Sequence, residues 1–263
     1  MKILIGANGM LAYQLKRIFD FDYMFGHSEI DVTKYEDVSK LERYNPQLIV
    51  NASAYTKVDD AEDEKEKCFR VNYVGVKNLA DFCAKNSCKL IHYSTDYVFD
   101  GSKEEGYDED DEKNPLNTYG LSKSIGEDYI KEILEDYIII RTSWLFGEHG
   151  RNFVTTMLDL ANKMKTIKVV RDQVGHPTYT KDLAIKTKEL YDEKGIFHIT
   201  NSGLTSWYEF AKYILKDKEV NVVPCDSYEF KTKAKRPAYS ALNNNRTSNL
   251  RDWKEAVDDF LGR

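Results

Sequence analysis

Apolar positions in the first half of the chain fall into two alternating patterns. Short apolar runs at Lys2–Ile5, Tyr23–Gly26, Leu48–Val50, Leu90–Tyr93 and Tyr137–Ile140 have the length of buried strands. Between the first two, Leu11, Leu15, Ile18 and Phe19 recur at the spacing of a one-faced helix. Val38, Leu41 and Tyr44 mark a second helix that stops before Pro46. A long charged helix is predicted from about Ala61 to Lys85, with Phe69, Tyr73, Val76 and Ala80 along one stripe. Another runs from Tyr119 to about Leu134. Strand alternating with helix in this rhythm predicts an α/β fold: a doubly wound parallel sheet covered on both faces. Right-handed crossovers then set its hand.

After about Arg141 the rhythm loosens. Helices are predicted at Phe153–Met164, Lys181–Tyr191, Trp207–Leu215 and Trp253–Leu261, and extended segments at Lys168–Val170 and Ile196–Ile199. The division this suggests is a nucleotide-binding domain of residues 1–143 plus about 178–200. A smaller mixed α/β lobe of about 144–177 and 201–263 would bind the substrate.

A length of 263 residues permits one large domain with such a lobe. Lys plus Arg number 38 against 44 Asp plus Glu, a net charge of −6 that argues against a nucleic-acid partner, which would need a basic face. No apolar run approaches the roughly 18 residues of a membrane span, and Gly6 interrupts the N-terminus too early for a signal peptide. Cys68, Cys83, Cys88 and Cys225 form no zinc-ligand spacing and read as ordinary buried thiols of a cytoplasmic protein. The acidic run Tyr107–Glu112 reads as a solvated loop rather than a metal site.

Chemistry enters at Gly6-Ala7-Asn8-Gly9-Met10-Leu11-Ala12, between the first strand and the first helix. Gly6 permits a tight turn, and Gly9 lets backbone N–H groups approach a pyrophosphate at the helix N-terminus. With strand before and helix after, the turn predicts a Rossmann-type dinucleotide site. NAD-preferring sites end the second strand in an acid that bonds the ribose. Here Phe25-Gly26-His27-Ser28 has none until Glu29. His27 or Ser28 would bond a 2′-phosphate, which favours NADPH and leaves NADH as the second choice.

Tyr119 and Lys123 lie one turn apart on one helix face. A nearby ammonium favours the phenolate, so Tyr119 becomes an acid able to protonate a carbonyl oxygen that receives hydride. The fourth strand ends in Ser94-Thr95-Asp96, where Thr95 is placed to bond that oxygen.

Together these motifs resemble the extended short-chain dehydrogenase/reductases and, more narrowly, the dTDP-4-dehydrorhamnose reductase family. The likeness runs over nearly the whole chain and includes Pro46–Asp59, Ser94–Gly101, Asn117–Lys123, Arg141–Trp144, Asp172-Gln173 and Arg236-Pro237. It implies reduction of the C4 ketone of dTDP-4-dehydro-L-rhamnose to dTDP-L-rhamnose, with Thr95, Tyr119 and Lys123 as catalytic residues. Gly9, Met10, Leu11, Asp31, Val32, Ala54, Tyr55, Thr56 and Tyr93 would line the cofactor. Asp96 and Trp144 would meet the sugar, and Asn152, Gln173 and Arg236 the nucleotide. Some members use magnesium at a dimer contact, so Mg2+ and a homodimer are both implied, though on no named residue here. Ala12 stands where the family has glycine, and the stretch between the first two strands is short. Asp96-Tyr97 replaces the Asp-Glu pair of the related dehydratases. An NDP-4-keto-sugar reductase of other specificity, an epimerase, and a non-catalytic regulatory subunit like that of methionine adenosyltransferase are the alternatives.

Overall fold

The computed structural model describes residues Met1–Arg263. Its main strands are β1 (Lys2–Ile5), β2 (Tyr23–Phe25), β3 (Leu48–Asn51), β4 (Lys89–Thr95), β5 (Tyr137–Thr142), β6 (Thr166–Val170), β7 (Gly195–His198) and β8 (Asn221–Cys225). The main helices are α1 (Met10–Ile18), α2 (Gly75–Asn86), α3 (Thr118–Ile133), α4 (Phe153–Ala161), α5 (Thr180–Glu189), α6 (Trp207–Ile214) and α7 (Trp253–Leu261). Six strands form a parallel sheet in the order β7-β5-β4-β3-β1-β2. This is a Rossmann-type α/β architecture, and the strand order reverses beside β1, where such sheets open a ligand crevice.

Successive residues of each strand point to opposite faces, and both faces are dry. Ile3, Ile49, Leu90 and Ile139 pack with Val76, Leu79 and Phe82 of α2 and Ile130 of α3. Leu4, Val50, Ile91 and Ile140 pack with Leu11 and Leu15 of α1 and Leu183 of α5 on the other side. A third core, built on Phe146, Val154, Ile167, Phe210 and Trp253, joins α4, α6 and α7 to β6 and β8.

Two expectations need correction, and one strand was not foreseen. The long helix is interrupted: Asp60–Asp63 ends at Glu64, where the backbone leaves helical angles, and a wide turn at Arg70–Val74 separates Lys65–Phe69 from α2. That region bends because the buried Asn72 side chain bonds the Tyr55 backbone and the Ser122 hydroxyl instead of facing solvent. Strand β8 carries no strong apolar alternation and exists through its parallel pairing with β6. The acidic loop is anchored rather than solvated, since Tyr107 stacks on Phe99 and Glu109 is buried, accepting the Asn245 N–H. All four cysteines are free and buried, and no helix is long and apolar enough to cross a membrane.

Beneath the C-terminal end of β5, Arg141 grips Glu127 of α3 with Nη2–Oε2 at 2.8 Å and Nε–Oε1 at 3.0 Å. Both side chains are essentially inaccessible. Arg141→Met would leave Glu127 buried with only Lys113, 3.3 Å away, as a cationic partner and is expected to lower stability by about 3 kcal/mol. Urea unfolding at neutral pH checks this, and a loss under 1 kcal/mol would mean the pair contributes little.

Candidate active site

Strands β1, β3, β4 and β5 deliver their C-terminal residues to one edge. Parallel pairing sets Ile5 beside Asn51, Asn51 beside His92, and Thr95 beside Thr142. Above that edge a cleft of about 480 Å³ opens, large enough for part of a dinucleotide and a sugar.

One end of the cleft is the glycine turn. Gly6 has φ +79°, and a Cβ there would come within 2.5 Å of the Ser53 backbone nitrogen, so no other residue fits. Gly9 caps α1 with no side-chain hydrogen bond, leaving the first-turn N–H groups free for an anion. Gly9, Met10, Leu11, Ala54 and Thr56 form the wall here, and Ala12 of α1 is fully buried. This cradle fits a pyrophosphate.

The centre holds Tyr93, Thr95, Asp96, Tyr119 and Lys123, with Trp144 beyond them. Asn117 caps α3 by accepting the Gly120 N–H, and Gly120 is needed because a Cβ would meet the Tyr97 carbonyl at 2.1 Å. That close approach seats the start of α3 against the end of β4 and so brings Tyr119 beside Thr95. Burial pushes the Tyr119 phenol above its usual range, with the neighbouring Thr95 hydroxyl pulling the other way. Lys123 moves oppositely: burial brings its ammonium down to about 8.

Trp144 sits at φ +45°, a conformation costly for a bulky residue, and its ring stacks on Trp207 at 3.6 Å. Trp207, Tyr97, Ser94 and Thr142 also form the wall. Nothing local in the sequence marks Trp207, which arrives from the start of α6.

Other expected residues lie outside this cleft. His27 and Asp31 border a second depression with Thr33, Lys67 and Arg70, and His27 Nδ1 is 3.8 Å from Asp31 Oδ1. Burial works to raise the Asp31 carboxyl, yet bonds from Thr33, with His27 and Lys34, hold it below the usual range. Ser28 is exposed nearby, Val32 is buried against Gly75, and the exposed Asn8 reaches toward Gly26. Tyr55 is buried with its hydroxyl on Glu64. Three expected nucleotide contacts are otherwise engaged or remote. Asn152 caps α4 and donates to the Gly147 carbonyl, Arg236 clasps Asp59 at 2.7 Å, and Gln173 is half-buried away from the cleft wall. No group of three His, Cys, Asp or Glu side chains converges to hold a metal ion.

Asp96 Oδ1 accepts the Thr95 hydroxyl at 3.0 Å, but Oδ2 is buried without a partner, as are the hydroxyls of Ser94 and Thr142. Orphaned polar atoms in a cleft wall suit a polar ligand. Burial pushes the Asp96 carboxyl up to about 7, partly offset by the Ser240 and Thr95 hydroxyls. Between the unfolded value of about 3.9 and this one, the native state holds a proton that the unfolded chain has released, so stability falls as pH rises. Asp96→Asn removes that cost and is expected to stabilise the empty protein at pH 8, on the order of 4 kcal/mol, but not at pH 4. Thermal unfolding at the two pH values checks it. An equal effect at both would show that the carboxyl does not titrate this way.

Comparison with known proteins agrees with the geometry. The family described as RmlD substrate binding domain matches residues 1–263. The chain is 38% identical to the spore coat polysaccharide biosynthesis protein SpsK of Bacillus subtilis, over 99% of this chain and 96% of that protein. It is 37% identical to dTDP-4-dehydrorhamnose reductase of Aggregatibacter actinomycetemcomitans, over 98% and 97%. The crystal structure of dTDP-4-dehydrorhamnose reductase from Bacillus anthracis in complex with NADP superposes with a TM-score of 0.96 at 38% identity, covering 99% of this chain and 98% of that one. With its glycine turn, Tyr119–Lys123 helix and cleft at the strand ends, the chain belongs to the dTDP-4-dehydrorhamnose reductase family of extended short-chain dehydrogenases/reductases.

Proposed function

We propose that this protein reduces the C4 ketone of dTDP-4-dehydro-L-rhamnose with NADPH, in the synthesis of a nucleotide sugar for surface polysaccharide. The observation that carries the reading is the meeting of Thr95, Tyr119 and Lys123 in one cleft with the glycine cradle. Residues 1–143 with about 178–200 hold the dinucleotide, and about 144–177 with 201–263 the sugar nucleotide.

When bound, the reduced nicotinamide supplies the hydride that the ketone carbon takes up. Tyr119 gives its phenolic proton to the ketone oxygen as negative charge grows there. Thr95 turns its hydroxyl from Asp96 to the same oxygen and steadies it. Once protonated, Lys123 lowers the cost of the Tyr119 phenolate, which burial alone makes high. Asp96 Oδ2 is free to accept a sugar hydroxyl. The Trp144 and Trp207 rings offer an apolar wall to the face of the deoxysugar. Tyr97 meets the Tyr119 ring edge-on at 6.0 Å, where elimination of water would call for a second carboxyl, which favours a reductase over a dehydratase.

Tyr119→Phe is expected to lower turnover by about 10²- to 10⁴-fold with cofactor affinity little changed. The assay follows NADPH oxidation with dTDP-4-dehydro-L-rhamnose beside UDP- and GDP-linked ketosugars. A loss below tenfold would remove Tyr119 as the proton donor, and tight NADPH binding with no turnover on any ketosugar would favour a regulatory subunit. The cofactor's 2′-phosphate is assigned to the His27-Ser28 side of the second depression. Ser28→Asp places a carboxylate there and is expected to weaken NADPH relative to NADH by roughly fivefold, about 1 kcal/mol for like charges some 4 Å apart in water. An unchanged ratio of kcat/KM values would take Ser28 out of the phosphate site.

A further inference from the structure

Lys123 commits its amine away from Tyr119. Its Nζ donates to the Tyr93 carbonyl at 2.5 Å and lies 3.0 Å from His92 Nε2. His92 is fully buried, and nothing in the reaction described above uses it. Its other ring nitrogen, Nδ1, is 3.1 Å from Asn51 Nδ2, the two residues being register partners on β4 and β3.

The hydrogen-bond directions along this line are forced. The Ser53 backbone N–H reaches the Asn51 side chain at 3.0 Å, and the Ser53 hydroxyl reaches the same atom at 2.6 Å. A backbone N–H only donates, so that atom is the amide oxygen and the amide NH₂ faces His92. An NH₂ also only donates, so His92 Nδ1 accepts and carries no proton. Burial holds the ring well below its usual range, so it is neutral with its one proton on Nε2. That N–H points at Lys123. An ammonium there would set two donors face to face, whereas a neutral amine accepts the ring N–H on its lone pair and still donates to Tyr93.

We propose that His92, oriented by Asn51, is a positioning residue that eases Lys123 toward the uncharged amine in the empty enzyme, so that at alkaline pH dinucleotide binding is coupled to proton uptake at Lys123. The coupling rests on the dinucleotide-binding part of the reading above and not on the identity of the sugar. The proton comes from solvent: it bonds to the amine lone pair, the contact from Nε2–H is released, and the ring keeps its own proton. Dinucleotide phosphate in the same cleft favours the ammonium. The other titratable groups around the amine are few. Glu127, on the same helix, is neutralised by Arg141. The Cys68 thiol comes from the Lys65–Phe69 helix and is pushed up by burial. The Tyr119 phenol is pushed up by burial as well, and the Tyr93 phenol is turned away onto the Thr187 hydroxyl. Glu127 and Cys68 pull the lysine upward, and burial outweighs them.

Two measurements test this. Nitrogen NMR of the empty enzyme labelled with ¹⁵N-histidine is expected to show His92 with unprotonated Nδ1 and protonated Nε2, its signals assigned by their loss in His92→Gln. The opposite tautomer would overturn the proposal. NADPH affinity is then titrated from pH 7 to 10. Wild type is expected to weaken about tenfold per pH unit above roughly pH 8, as the proton to be taken up grows scarce. In His92→Gln a side-chain oxygen can accept from the ammonium, moving that fall upward by about one pH unit, roughly tenfold tighter binding at pH 10. A folded variant that titrates like wild type would overturn the coupling. If the variant does not fold, assignment by chemical shift and burial lets the wild-type tautomer decide. Absence of any dinucleotide binding at pH 7 would defeat the reading of the cleft and the coupling with it, while the tautomer is settled by NMR alone.

Discussion

Because apolar side chains cover both faces of the central sheet, a polar residue on these strands survives only where it is paired or where a strand ends. Ile3, Ile49 and Leu90 press on one helical layer and Leu4, Val50 and Ile91 on the other. The parallel register then carries every strand end to the same level, with Asn51, His92, Thr95 and Thr142 following directly on the apolar stretches. Chemistry at this edge is a consequence of burial elsewhere. A shift of one residue in register would turn Asn51 and His92 to different neighbours and unmake the line beneath Lys123.

Ionisable groups near the edge are handled in two physical ways. Arg141 and Glu127 remain charged because each satisfies the other through several short bonds. Lys123 is eased toward its neutral form by the same burial that raises Tyr119 and Asp96. These opposite movements bring the Asp96 carboxyl and the Lys123 ammonium toward neutrality, while Tyr119 holds its proton more firmly. Asp96 Oδ2, with its missing partner, and Trp144, with its left-handed backbone, are features that folding alone would not select. Each is held by neighbours on other elements, Trp144 by its stack on Trp207.

Much of this was legible in the chain. Strand-length apolar runs and one-sided helical spacing announced the doubly wound sheet, since burial on two faces and on one face leave different periods. The turn at Gly6 and Gly9 and the one-turn spacing of Tyr119 and Lys123 are local features, and local features survive in sequence. The interruption around Glu64 and Arg70 did not show, because its cause is the bond from Asn72 to Tyr55 and Ser122, residues up to 50 positions away.

The sequence by itself therefore determined the sheet, the faces of its helices, the glycine turn and the one-turn spacing of a tyrosine and a lysine on one helix. The tertiary structure decided which side chains were free to act. It committed Asn152 to a helix cap and Arg236 to Asp59, brought Trp207 against Trp144, and set His92 under Lys123. The reason is that periodicity records only whether a position faces the core. Which partner a polar atom meets depends on contacts between segments far apart in the chain, and those exist only once the strands have paired.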